Sequence, residues 1–184
     1  MNLHQPASFP QHGSPAVARS ASATERPRPS AGLQVLALIG WLALCFAAAG
    51  TAAFVSIDGW YAALQKPSWN PPAWVFGPAW TVLYISMAVA AWLVWREGGW
   101  KAHGRALGLF LVQWVLNALW TPLFFGLQRP DLAFAEIVVL WLVLAATLAA
   151  FWRINKVAGA LLVPYLAWVS FAAALNFAIW RLNG

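Results

Sequence analysis

Five stretches of this chain are each apolar enough to lie inside a bilayer, and together they contain a single charged side chain, Glu136. They run from Leu33 to Ser56, Ala79 to Trp95, Ala106 to Gln128, Leu132 to Trp152 and Val157 to Trp180. A spanning helix needs about 20 mostly apolar residues, so the second stretch must borrow from the apolar residues before it. Inside hydrocarbon the backbone has to satisfy its own hydrogen bonds, which makes these stretches helices. Strands of a membrane barrel would alternate in polarity, and these do not. The fold class expected is therefore an all-α membrane protein, a bundle of five transmembrane helices. With 62% hydrophobic and 9% charged residues, the chain is no ordinary soluble domain, which averages about 45–50% apolar and about 25% charged.

Residues 1–31 have a different composition, rich in Pro, Ser, Ala and Arg without an apolar period. They are expected to form a disordered extension, with a targeting segment as the alternative. Residues 32–184 then form the membrane domain. The extension and the second and fourth loops carry Arg19, Arg26, Arg28, Arg96, Lys101, Arg105, Arg153 and Lys156, while the other side carries Lys66, Arg129 and Arg181. Eight cations against three place the amino terminus in the cytoplasm and the carboxyl terminus outside. The net charge of +6 is thus the basis of topology. The aromatic residues are not interleaved with it, so no nucleic-acid partner is expected.

The segment between the first two stretches is unlike a simple turn. Pro67, Pro71, Pro72 and Pro78 forbid one continuous helix. Trp60, Tyr61, Trp69 and Trp74 make it too apolar to sit in water. An aromatic belt at headgroup level would explain the rings, but would not need the stiff Pro-Ser-Trp-Asn-Pro-Pro run. A structured loop, held over the helix ends as a lid, accounts for both.

Three helical stripes carry polar and aromatic residues that hydrocarbon disfavours. They are Trp80, Tyr84, Met87 and Ala91; Gln113, Asn117, Trp120 and Thr121; and Tyr165, Trp168, Ala172 and Asn176. Their spacing puts each set on one helix face. All three faces should point inward. Either they bond the helices to one another, or with the lid they enclose a site for a large flat ligand. Pro122 and Pro164 free the carbonyls of Ala118 and Ala160 and should kink their helices. Glu136 is a candidate proton-linked acid, or a carboxyl group near the interface.

The run Trp60-Tyr61-x-x-Leu64-x-Lys66-Pro67-x-Trp69-x-Pro71-Pro72-x-Trp74-x-Phe76-x-Pro78-x-Trp80-x-x-Leu83-Tyr84 strongly resembles the TspO/MBR family of tryptophan-rich sensory proteins and translocator proteins. Leu116-Asn117-Ala-Leu-Trp120-Thr-Pro122-Leu-Phe124-Phe125-Gly126 and Pro164-Tyr165-Leu-Ala-Trp168-Val-Ser-Phe171-Ala172-Ala-Ala-Leu175-Asn176 resemble its third and fifth helices. The resemblance covers about residues 33–184. It implies a five-helix receptor or carrier that binds porphyrins and other tetrapyrroles, or sterol-like molecules, and senses their levels. It maps a ligand site onto Trp80, Tyr84, Asn117, Trp120, Trp168 and Ala172, with Tyr61 and Pro71 from the lid. It also implies a homodimer, for which Gly104-x-x-x-Gly108 offers a close-packing face. The carboxyl-terminal sterol motif of the family is incomplete here, with Phe177 in place of its tyrosine.

No catalytic constellation is visible. His4, His12 and His103 have no nucleophile or metal partner near them in sequence. Single Cys45 excludes an intramolecular disulfide and a multi-cysteine metal site. Neither Met87 nor Cys45 is a convincing haem ligand, so of the porphyrins that the resemblance implies, metal-free protoporphyrin is expected as a ligand in preference to an axially ligated haem, with no cofactor obligatory. The alternatives within the resemblance are light-dependent porphyrin degradation, which needs no acid–base residues, and transport across the bilayer.

Overall fold

The computed structural model describes residues 30–54 and 59–184. Most of the extension assigned to residues 1–31 therefore lies outside the described residues. Five long helices account for the apolar stretches: α1 (Ala31–Ala47), α2 (Phe76–Arg96), α3 (Gly99–Thr121), α4 (Pro130–Ile154) and α5 (Lys156–Asn183). With their short extensions, all five are long and apolar enough to cross a membrane. The described residues contain no strand. The second helix does borrow the residues before Ala79, since its apolar span begins at Ala73.

The departures from α-helix have local causes. After Ala47 the chain tightens into a 3₁₀ stretch over Ala48–Phe54. There the Thr51 hydroxyl donates to the Ala48 carbonyl at 2.8 Å, a local bond that competes with the helical ladder. Beyond Thr121 the third helix becomes a π-turn over Pro122–Gly126. Pro122 has no N–H to offer Ala118, and the ladder resumes one residue later, with Leu127 N donating to Pro122 O at 2.8 Å. The irregularity expected at Pro122 takes the form of a π-turn. At Pro164, α5 continues unbroken as one helix.

Packing defines a ring of helices in the order α1, α2, α5, α4, α3, closed where the 3₁₀ stretch meets α3. Indole donors staple neighbours together. Trp92 Nε1 donates to the Gln34 carbonyl at 3.0 Å, joining α2 to α1. Trp141 Nε1 donates to Ser170 Oγ at 2.8 Å, joining α4 to α5. The pair α4–α5 makes the most extensive contact. One residue, Asn155, joins them, and its side chain caps α5 by accepting from Ala158 N at 3.1 Å.

The two ends of the bundle differ. At one end, Asn155 Nδ2 donates to Glu97 Oε1 at 3.4 Å, so the α2–α3 and α4–α5 turns lie together. At the other end, the loop after α1 meets the end of α5. Asn183 Oδ1 accepts from Gln65 N at 2.9 Å, and Asn183 Nδ2 donates to Gln65 O at 2.9 Å. The loop is therefore a structured element: a helical turn at Trp60–Ala63, extended prolines, and a 3₁₀ turn at Ala73–Val75 leading into α2.

Candidate functional site

The three polar-aromatic stripes face inward. Tyr84, Met87 and Ala91 are buried on α2, Gln113 and Asn117 on α3, and Tyr165 and Asn176 on α5. Trp80, Trp120, Trp168 and Ala172 pack against the same core as partly buried residues. Burial follows from the periodicity: a polar group turned to hydrocarbon would lose its partners.

Trp80 is the hub of the first group. Its ring stacks on Tyr84 with centroids 5.3 Å apart, and meets Tyr165 at 6.3 Å and Trp168 at 6.4 Å edge to face. Tyr84 donates its hydroxyl proton to Asn117 Oδ1 at 3.3 Å, bridging α2 and α3. Thus Trp80, Tyr84, Asn117 and Trp168 come together from three helices, as the spacing suggests.

Trp120 anchors a second group. It stacks on Phe124 at 4.9 Å, and its Nε1 donates to Asn176 Oδ1 at 3.1 Å. Asn176 Nδ2 in turn donates to the Pro130 carbonyl at 2.8 Å. One amide therefore ties α3, α5 and the start of α4. The lid residue Tyr61 lies edge-on against Phe124 and Phe125, at 6.2 and 5.4 Å. Its hydroxyl donates to Asn70 Oδ1 at 3.3 Å, and Asn70 Nδ2 donates to the Pro71 carbonyl at 3.2 Å. Burial pushes the Tyr61 phenol above its ordinary range, which keeps it protonated as a donor. Pro71 thus acts through its carbonyl and its fixed backbone.

The two groups join through phenylalanines that the stripes did not include. Phe124 is buried in a small cluster with Ala133, Leu175 and Ile179, and Phe76 and Phe171 pack against that cluster. Phe76 and Phe171 both contact Trp168, at 5.9 and 5.7 Å. Phe124 lies four residues after Trp120, so extending that stripe past Pro122 would have found it. Phe76 lay in the proline loop, where no helical period could be read.

Aromatic rings meet between these groups. An open groove of about 720 Å³ lies on the outside of the bundle. It runs between Trp74, Pro78 and Val82 near the start of α2 and Pro164, Trp168 and Phe171 on α5. Trp168 therefore has one side toward Trp80 and another toward this groove. Trp69 covers Phe171 from the lid at 5.8 Å, whereas Trp74 is 74% exposed, a ring suited to the interface.

Glu136 sits on the inward side of α4, one turn from the fully buried Ala133 and Leu140. Both its carboxyl oxygens are buried without a hydrogen-bond partner, as are both amide atoms of Gln113 and the Tyr165 hydroxyl. Among the described residues, no group of His, Cys, Asp and Glu could hold a metal ion. A Cβ added at Gly104 or Gly108 would meet no atom of the described residues within 4 Å.

Comparison with known proteins agrees with this architecture. Residues 33–181 match the TspO/MBR family. The tryptophan-rich sensory protein of Cereibacter sphaeroides is 48% identical over 143 residues, 78% of this chain and 89% of that protein. The tryptophan-rich protein TspO of Chlorobaculum tepidum is 45% identical over 155 residues, covering 82% and 98%. The human translocator protein is 43% identical over 134 residues, covering 71% and 79%. Match, helix count and the aromatic loop agree: this chain is an integral membrane protein that belongs to the TspO/MBR family.

Proposed function

We propose that this protein is a membrane receptor or carrier for tetrapyrroles, with protoporphyrin as a ligand, and that it acts as a sensor of their levels. The observation that carries this reading is the continuous aromatic and amide surface under the loop. Trp80, Tyr84, Asn117 and Trp168 meet on one side, Trp120 and Tyr61 on the other, and phenylalanines join them. Faces of this kind stack on a large π-system, while the amides fix its edge. Ala172, the one small residue of the set, follows Trp168 by four residues on the same face of α5. The relatives' names, sensory protein and translocator protein, support a role in small-molecule recognition. The charge distribution supports a loop end that faces away from the cytoplasm.

The test is a titration of the purified protein with protoporphyrin in the dark, beside Trp120→Ala and Trp168→Ala. Saturable binding, weakened in both variants, is expected. Partitioning that does not saturate and is equal in all three proteins would refute a site and leave the rings as packing. Illumination of the same samples addresses the degradative alternative: new products formed only in light, and fewer in the variants, would make the protein a photochemical enzyme.

A further inference from the structure

The interior that would receive a tetrapyrrole cannot accept the carboxylates that most tetrapyrroles carry. Among the described residues, the buried polar side chains are Gln113, Asn117, Thr147 and Asn176, and no Lys, Arg or His is buried. The acid within the bundle, Glu136, has the wrong sign. An unpaired carboxylate taken into such a site would lose its hydration with no cation in return. A flat ligand with carboxylates along one edge must therefore keep that edge at the mouth of the site.

The loop end of the bundle offers three cations. Arg129 is already engaged by Asp131, through Nε to Oδ1 at 2.8 Å and Nη2 to Oδ2 at 2.6 Å. Arg181 is exposed in the last turn of α5, on the helix face away from Asn176 by the 3.6-residue period. Lys66 is different. Its ammonium lies over the Tyr61 ring, 4.6 Å from the centroid. Its hydrogen-bond partners are two carbonyls, of Leu64 at 3.1 Å and Ala62 at 3.3 Å. Among the described residues the ion pair is Arg129–Asp131, and none of their carboxylates pairs with Lys66. An ammonium carries three donors, and two carbonyls leave one for a ligand. Tyr61 in turn touches Phe124 and Phe125, on which Trp120 rests.

We propose that Lys66 is the carboxylate-recognising residue of this site: it pairs with the acidic edge of a flat tetrapyrrole and fixes the ligand with that edge toward the loop. The inference rests on the tetrapyrrole reading above, and it adds a direction of binding and a preference for acids over their esters.

The experiment compares protoporphyrin with its dimethyl ester, in the dark and in an uncharged detergent, on the wild type, Lys66→Met and Lys66→Arg. Methionine keeps an apolar stem over Tyr61 and removes the charge. The wild type should bind the acid about tenfold more tightly than the ester, the scale of one charge-assisted hydrogen bond. Lys66→Met should lose that preference while its affinity for the ester stays unchanged, and Lys66→Arg should keep it. Added salt should shrink the preference in the wild type and in Lys66→Arg alike. An acid-to-ester ratio that is the same in wild type and Lys66→Met overturns the assignment, including the case in which Lys66 only contacts lipid headgroups. Equal weakening of both ligands in Lys66→Met also overturns it, as a structural effect on the loop. Saturable ester binding by the wild type keeps the tetrapyrrole reading standing in either case. If neither porphyrin binds the wild type saturably, both readings fall.

Discussion

Replacing Asn176 by leucine would test how much of the bundle's stability depends on one amide. Asn176 accepts from Trp120 Nε1 at 3.1 Å and donates to the Pro130 carbonyl at 2.8 Å, at 2% exposure. Leucine is close in size, so the change removes two hydrogen bonds with little cavity. In a soluble protein each orphaned buried partner would cost about 1–3 kcal/mol, or about 2–6 kcal/mol for both. In a bilayer the unfolded reference also finds partners, and measured interhelical bonds average about 0.6 kcal/mol with a maximum near 1.7. The membrane values govern here, because the helices stay inserted when they separate. The loss expected is therefore about 1–3 kcal/mol. Unfolding in bicelles or mixed micelles would measure it for the wild type, Asn176→Leu, Trp120→Phe and the double variant. The cycle should give a coupling of about 0.5–1.5 kcal/mol between the two positions. A loss for Asn176→Leu below about 0.3 kcal/mol, or strictly additive effects, would show that this tie contributes nothing and refute the reasoning.

Three further outcomes follow from single positions. Gly159→Ala should destabilise by about 1–3 kcal/mol, because a Cβ there would sit 2.8 Å from the Trp152 backbone Cα and 2.7 Å from its ring; an unchanged unfolding midpoint would contradict the close approach. Asn183→Ala should speed hydrogen exchange at the Gln65 amide by about tenfold, the worth of roughly one hydrogen bond, with little change in global unfolding; unaltered protection would mean that the loop is held elsewhere. Ala172→Thr adds bulk and a hydroxyl beside the candidate site, so protoporphyrin affinity should change while the unfolding midpoint shifts by only a few degrees; equal affinities for the two proteins would remove Ala172 from the site.

Most of the bundle was legible in the sequence because lipid imposes a harsh rule on polarity. Stripes such as Gln113–Asn117 and Tyr165–Asn176 could face only one way, and they do. The details that escaped depend on backbone geometry or on partners distant in the chain. Nothing in a helical period shows that Pro122 would start a π-turn and carry Phe124 into the core. Nor does it show that Asn183 would grip Gln65, 118 residues away. The stripes name the walls of the site, yet they do not show how Phe76, Phe124 and Phe171 join them. That depends on side-chain volumes meeting in three dimensions.

The single-residue connection between α4 and α5 has a consequence for biogenesis. Asn155 leaves no slack, Gly159 is pressed against Trp152, and the two helices share the most extensive contact in the fold. Neither helix has room to wait in the translocation machinery for a distant partner. They should leave it as a preformed hairpin whose mutual contacts are made before the ring closes. The long proline-stiffened loop after α1, by contrast, lets α1 and α2 insert one at a time. Assembly would then begin from the α4–α5 pair, although it is synthesised after the other three helices.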